Sequence, residues 1–327
     1  MKTIAFFNNK GGVGKTTLVY HLAHMLPRIG YPTVAVDLDP QANLTAAFFE
    51  ESFLETLWER QRDTIMACLK PVIKQVGDIG EPTPLEIAEN AWLVAGDLAL
   101  AGFEDRLSAS WSEGFKTNNE APLRTISAFH RIIRQAGAKV KAVVALLDVG
   151  PNLGAINRAS LLAADYLVIP LAPDLFSLQG LTNLGPTLHE WRTDWDRVPK
   201  ASSIDFETPQ GAMEPAGYVV LQHAVRLDRP VKAFARWMER IPPEYRKSVL
   251  RQQASTEREA ADDQRLGTLS NYRSLMPMAQ DARKPMFDLT AADGAIGGHS
   301  NLVQVCRKEF QNLAERIAER CRLQKQL

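Results

Sequence analysis

The chain has 327 residues, enough for one large α/β domain or two smaller ones. Hydrophobic residues make up 45% and charged residues 23%, ordinary values for a globular protein with a full core. The 38 basic and 38 acidic side chains balance, so no global basic field advertises a nucleic-acid partner, and any such contact must come from a local patch.

Cys68, Cys306 and Cys321 are widely spaced and form neither a C-x-x-C pair nor a zinc pattern, which predicts reduced thiols in a cytoplasmic protein. The N-terminus runs directly into a strand, which predicts no signal peptide. No run is apolar for long enough to span a bilayer.

The first predicted strand is Thr3–Phe7, short, apolar and rich in β-formers. It leads into Asn9-Lys10-Gly11-Gly12-Val13-Gly14-Lys15-Thr16-Thr17, and Leu18–Leu26 follows with apolar residues at helical spacing. Strand, glycine-rich turn and helix make the context of a phosphate-binding loop. Gly11, Gly12 and Gly14 lack Cβ, so the backbone can wrap a phosphate closely. The N–H groups along the loop, Val13 and Thr17 included, and the helix N-terminus then point at negative charge. In this arrangement Lys15 reaches the β- and γ-phosphates and the Thr16 hydroxyl sits on Mg²⁺.

The second strand, Thr33–Asp37, continues into Leu38-Asp39-Pro40. Asp37 and Asp39 point to the same side if the chain stays extended, at the strand end where ligands collect in open α/β sheets. Phe48–Ile79 reads as helical, with no chemistry assigned, and Glu81-Pro82-Thr83-Pro84 breaks it. Trp92–Asp97 is a short buried strand and turn, and Leu98–Glu104 opens a helix with a core role. Leu123–Gln135 has apolar residues at helical spacing and should pack on the sheet. Ala142–Asp148 is a continuous apolar run that suits a central strand buried on both faces. The acid at its end, Asp148, is placed to hold Mg²⁺ directly or through water. Ala164–Pro173 gives the next strand and its exit, and Leu175–Trp191 a helix.

In the second half, Ser202–Pro215 is a polar loop, Gly217–Gln222 a strand, and Val231–Ile241 a helix stopped by Pro242-Pro243. Residues 226–251 carry Arg226, Arg229, Lys232, Arg236, Arg240, Arg246, Lys247 and Arg251 against three acids, a local net charge of +5. A solvated helix face and a patch for a phosphate backbone are both open readings. For the patch, the candidates are Arg226, Arg229, Lys232, Arg246, Lys247 and Arg251. A last helix, Asn301 to about Arg322, places Leu302, Val305, Phe310, Leu313 and Ile317 to dock on the sheet, with a membrane-seeking helix as the rival.

The loop's K-G-G-x-G-K-T-T form, with Asn9 at the usual first glycine and an extra lysine at 10, resembles the deviant Walker A loop of the ParA/MinD family of ATPases. V-D-L-D-P-Q-A-N from Val36 and I-P-L-A-P-D-L-F-S-L-Q-G-L from Ile169 resemble the same family, so the motifs cover most of residues 1–190. The resemblance implies an α/β fold: a single P-loop NTPase domain over residues 1–327, its twisted, mostly parallel sheet flanked by helices on both faces. Its divergent segment is at about 190–275. By the same resemblance Lys10 reaches across a dimer to the partner's nucleotide, Asp39 orients the attacking water, and Asp37 lies near the Mg²⁺ shell. Asn157 falls where the family often has an asparagine. Asp148-Val149-Gly150-Pro151 departs from the family's D-x-P-P, and Gly150 in place of proline predicts a more mobile loop.

The implied function is an ATP-dependent, Mg²⁺-requiring switch. ATP closes a homodimer, the dimer binds DNA without sequence preference, and a partner protein stimulates hydrolysis. Such a protein is cytoplasmic and gathers on the nucleoid. The loop begins near residue 9, as in short members without an N-terminal helix-turn-helix domain. Three alternatives stand beside it. A MinD-like membrane-cycling ATPase needs a terminal anchor, and the tail after Arg322 is short and weakly apolar. An amidoligase or synthetase uses the same loop to make an acyl phosphate. An iron–sulfur carrier needs paired cysteines, which are missing.

Overall fold

The computed structural model describes residues 1–60, 62–114, 120–198, 204–222, 231–252 and 262–326. The chain begins with β1 (Lys2–Phe6), α1 (Lys15–Arg28) and β2 (Thr33–Asp37), then three short helices, α2 (Asn43–Phe48), α3 (Glu51–Arg60) and α4 (Ile65–Ile73). A hairpin of β3 (Leu85–Ala88) and β4 (Ala91–Val94) follows. A 3₁₀ turn, Leu98–Phe103, leads to α5 (Glu104–Gly114), α6 (Glu120–Ile126) and α7 (Ala128–Lys139). Next come β5 (Val144–Asp148), α8 (Ala155–Leu162), β6 (Tyr166–Leu171), α9 (Leu175–Arg197) and β7 (Glu214–Leu221). The chain closes with α10 (Val231–Ser248), β8 (Arg265–Leu269), α11 (Leu275–Ala282), two 3₁₀ turns and α12 (Gly298–Arg320).

The strands form one eight-stranded sheet in the order β3-β4-β2-β5-β1-β6-β7-β8. Every neighbouring pair is parallel except β3 and β4. Alternation along the central strands feeds two cores, one on each face. Ile4 and Phe6 of β1 and Val144 and Leu146 of β5 enter the core shared with α1 and α12. Ala5 and Phe7, with Ala145 and Leu147, enter the core shared with α7, α8 and α9. Burial of each such Leu, Val or Phe side chain contributes roughly 1.5–3 kcal/mol, so the apolar run of β5 alone commits it to the sheet's centre.

Three local expectations change. The helix expected over Phe48–Ile79 is two helices, α3 and α4, preceded by the end of α2. Phe49 is extended, and Thr64 is drawn into a bridge with Ala95 while its hydroxyl bonds Asp97 at 2.8 Å, so the sheet edge competes with helix continuation. Helix α10 does not stop at Pro242-Pro243 but runs through both. Two N–H donors are lost there, yet Ile241, Tyr245 and Val249 lie buried at four-residue spacing and hold the helix against the core. Its partner α9 comes so close that a Cβ on Gly185 would collide with the Ser248 carbonyl. On α12, Phe310, Leu313 and Ile317 are buried as expected, but Val303 and Cys306 take the core positions and Val305 is exposed. The edge strands β3 and β8 had no place in the sequence reading, whereas all three cysteines are free, as it expected, and are also buried. No described helix is long and apolar enough to cross a membrane.

Candidate nucleotide site at the carboxyl ends of the central strands

Asp37 of β2, Asp148 of β5 and Phe6 of β1 stand in register across three adjacent strands. The loops that leave these strands therefore meet at one point. The loop after β1 closes on α1 through Gly14, which caps the helix in the left-handed conformation at φ 84°, and Gly12 sits at φ 70°. These backbone angles favour glycine. A Cβ on Gly11 or Gly12 would meet no protein atom within 4 Å, so the loop's inner lip faces open space while Val13 is buried as its anchor. Asn8 fastens the loop's start, donating from Nδ2 to the Pro170 carbonyl at 2.7 Å and accepting from Lys10 N–H at 3.0 Å.

Lys15 is buried, and its ammonium donates to the carbonyls of Asn8 at 3.1 Å and Lys10 at 3.3 Å. Burial lowers its pKa, and Asp148 and then Asp39 pull it back up. The charge is thus held on the loop itself, within the field of two acids.

The three acids have different surroundings. Asp37 is fully buried but well supplied: Oδ2 accepts from Thr45 N–H at 2.8 Å and Thr45 Oγ1–H at 2.7 Å, and Oδ1 accepts from Asp39 N–H at 3.3 Å. Burial still pushes its pKa up to about 6, against those bonds. Asp39 is buried and accepts from Gln41 N–H at 3.0 Å, which turns the loop after β2 back on itself. Asp148 is fully buried, and neither carboxylate oxygen has a hydrogen-bond partner among the described residues. Burial first, then the charge of Asp37, drive its pKa well above the ordinary carboxylate range; Thr16 offsets part of this without completing a bond of good geometry. A buried carboxylate with no donor is costly unless a cation joins it.

Gly150 does not leave its loop loose. Asn157 donates to the Gly150 carbonyl at 2.9 Å and the Asn152 carbonyl at 2.6 Å, and Leu38 N–H donates to the Asp148 carbonyl at 2.9 Å. Glu104 adds a clamp that the sequence reading missed: its carboxylate accepts from the N–H groups of Ala155 and Ile156 and caps α8. Asp174 was missed too. It caps α9 through Ser177 N–H at 2.8 Å and pairs with Lys10, whose ammonium lies 2.5 Å from its Oδ2 and 5.5 Å from the Phe176 ring centre. The D-x-x-S spacing was the available signal for the cap. Nothing local signals its pairing with Lys10.

These loops open into a cavity of about 950 Å³. Gly11, Gly12, Gly14, Lys15, Thr16, Thr17 and Asp39 line one end, and residues at the exits of β7 and β8 line the other.

The basic candidates lie elsewhere. Arg226 and Arg229 fall outside the described residues, and Lys232 lies on the first turn of α10. On the rest of that helix and just past it, Lys247 and Arg251 are exposed and Arg246 is half-buried. Arg236 and Arg240 flank Trp237, at 6.0 and 5.0 Å from its ring centre. Among the described residues none of these five cations forms an ion pair.

A glycine loop leaving a central strand, opposite a buried acid on the neighbouring strand, is the layout of the P-loop NTPases, and the sheet order fits that class. Residues 1–198 match the family model described as an AAA domain. The sporulation initiation inhibitor protein Soj of Bacillus subtilis is 29% identical over 184 residues, 56% of this chain and 63% of Soj, so the match spans less than two thirds of that relative. Protein DIP2308 from Corynebacterium diphtheriae has the same fold, with a TM-score of 0.72 and 24% identity over 98% of both chains. An ATP complex of a Cyanothece McdA variant aligns with a TM-score of 0.63 and 16% identity over 100% of this chain and 98% of that one. The chain belongs to the ParA/MinD-type P-loop ATPases, the family of ParA/Soj partition and positioning proteins.

Proposed function

We propose that this chain is an ATP-hydrolysing switch of ParA type, whose ATP-bound form is a homodimer that holds DNA without reading its sequence. The observation that carries the proposal is Asp148: a fully buried carboxylate with no donor among the described residues, beside Thr16 and opposite an open-lipped phosphate loop. That donor set suits a hard divalent cation such as Mg²⁺, with Asp148 and the Thr16 hydroxyl as its protein oxygens and Asp37 beside them as the acid that fixes the second loop. Magnesium supplies neutralisation of the phosphate charge.

The chain's own residues do the rest. Backbone N–H groups from Gly11 to Thr17 cradle the phosphates. Lys15 leaves the Asn8 and Lys10 carbonyls for the β- and γ-phosphate oxygens. Asp39, held by Gln41 N–H at the cavity wall, orients the attacking water. Lys10 exchanges Asp174 for the nucleotide of a second copy. Arg246, Lys247 and Arg251, which form no ion pair among the described residues, offer a phosphate-backbone surface, and pairing two such surfaces in one dimer makes the second contact intramolecular. A partner protein that stimulates hydrolysis completes the cycle, and the ATP form gathers on the nucleoid. The membrane-cycling reading loses the apolar stripe of α12, because Phe310, Leu313 and Ile317 are buried in the core.

The test is DNA binding by the purified chain with ATP, ADP and no nucleotide. Binding is expected with ATP alone, independent of sequence and lost at raised salt. Lys247→Glu with Arg251→Glu is expected to weaken it by about tenfold, as removal of a few phosphate contacts does, with ATP-driven dimerisation intact. Equal DNA binding in all three nucleotide states would sink the switch.

A further inference from the structure

The phosphate loop occupies only one end of the cavity. The other end is built by Leu221 and Gln222 at the exit of β7, by Leu269 to Arg273 at the exit of β8, and by Met276 of α11. The two ends are contiguous, since the Cβ position of Gly14 lies 3.3 Å from the Leu221 side chain. A nucleotide whose phosphates fill the loop would send its base toward this second end. Leu221, Leu269 and Met276 offer apolar faces there. Gln222 and Asn271 also line it, and neither side-chain amide nitrogen has a hydrogen-bond partner among the described residues.

The wall from Ser270 to Arg273 has no regular structure. Arg273 stands in the left-handed region at φ 48°, and Asn271 Oδ1 accepts from its N–H at 2.9 Å. Such a conformation is disfavoured for a residue with a side chain and persists only when its surroundings enforce it. One residue of α12 pins Ser270 and Tyr272, on either side of Asn271. Glu309 Oε2 accepts from Ser270 N–H at 2.8 Å and from the Tyr272 hydroxyl at 2.6 Å, and its Oε1 accepts from the Ser270 hydroxyl at 2.7 Å. Burial keeps the Tyr272 hydroxyl protonated far above its ordinary range, so it remains a donor. Three charge-assisted bonds thus tie one short loop to one carboxylate. The phosphate loop has no part in this tether.

We propose that Glu309 is a positioning residue for the nucleotide base: it fixes the Ser270–Arg273 loop as the wall on which the base rests, with Gln222 and Asn271 presented to its polar edge. The inference rests on the nucleotide reading above.

The test measures equilibrium binding of ATP, GTP and inorganic tripolyphosphate, each with Mg²⁺, to the full chain and to Glu309→Gln. Gln places an amide donor where Ser270 or Tyr272 already donates. ATP binding is expected to weaken by about tenfold and the ATP-over-GTP preference to narrow, while tripolyphosphate binding is unchanged. A general loss of structure would weaken all three ligands together. Ser270→Ala, which removes one bond of the three, is expected to show the same split at roughly two- to threefold. It carries the test if Glu309→Gln does not fold. If the ATP-to-tripolyphosphate ratio is unchanged in both variants, Glu309 has no positioning role. If the parent chain binds none of the three ligands, the nucleotide reading itself falls.

Discussion

At its phosphate end the cavity is lined chiefly by one local stretch, Gly11, Gly12 and Gly14 to Thr17, with Asp39 beside it, and at its other end by residues from β7, α11 and the exit of β8, the last tied to α12. The first end is made largely of backbone. Its requirements are two left-handed glycines, an open lip and a lysine, and neighbours in sequence supply all of them. The second end is made of side chains that come together only in the folded chain. Changes at the first end should therefore abolish phosphate binding outright, and changes at the second should grade affinity and base preference.

Lys15→Ala tests the first half of that contrast most severely. Removing the cation held on the loop is expected to weaken ATP binding by roughly 100-fold or more, as measured by calorimetry. Retention of near-parental affinity would mean that the loop's N–H groups suffice and that the lysine has another task.

Asp39→Ala is next in size. ATP binding should persist while hydrolysis falls by about 10²–10⁴-fold, the range for loss of a group that positions a reacting proton or water. The nucleotide then survives, so ATP-driven dimerisation should be clearest in this variant, and Lys10→Ala placed on top of it should leave an ATP-bound monomer. Light scattering that shows a dimer in the double variant would break the assignment of Lys10 to the partner's nucleotide.

Asp148→Asn separates affinity from stability. The folded pKa of this acid is raised, so the folded chain binds more protons than the unfolded one between about pH 4 and that raised value. Stability of the nucleotide-free chain therefore falls as pH rises through this window, and the amide removes the fall. Above the window the variant should melt roughly 2–4 °C higher than the parent while losing Mg²⁺-dependent ATP binding. A melting curve with the same pH dependence as the parent's would show that Asp148 is not the strained acid.

The smallest effect concerns the distant tether at the phosphate end. Asp174→Asn keeps the cap on α9 but loses the charge that holds Lys10. A half-exposed pair is worth about 1 kcal/mol at most, so ATP-driven dimerisation should become easier by about two- to fivefold. No change would make the pair an ordinary surface contact.

The legible part of this molecule follows the same division. The loop around Lys15, the acid closing Ala142–Asp148 and the mostly parallel sheet were all present as short local patterns, and the sheet is observed as expected. Less legible were β3 and β8, short edge strands whose pairing depends on a partner strand more than on their own periodicity. Glycine interrupts the second at Gly267. The two prolines in α10 misled for a related reason: the propensity rule for proline is strong, but the buried stripe of Ile241, Tyr245 and Val249 outweighs it.

By itself the sequence determined the shape of the glycine-rich loop, because that loop is made of consecutive backbone groups and their geometry travels with the local residues. It determined the two-faced core as well, because unbroken apolar runs have no stable place except between two helical layers. Only the tertiary structure decided that Asp37 is bonded while Asp148 has no donor among the described residues, that Lys10 rests on Asp174, and that Glu309 ties down a loop 39 residues before it. Each of those outcomes depends on which side chains the sheet order brings within about 3 Å of one another. A carboxylate reads the same in sequence whether three donors or none await it, and the partners are chosen by the path of the whole chain.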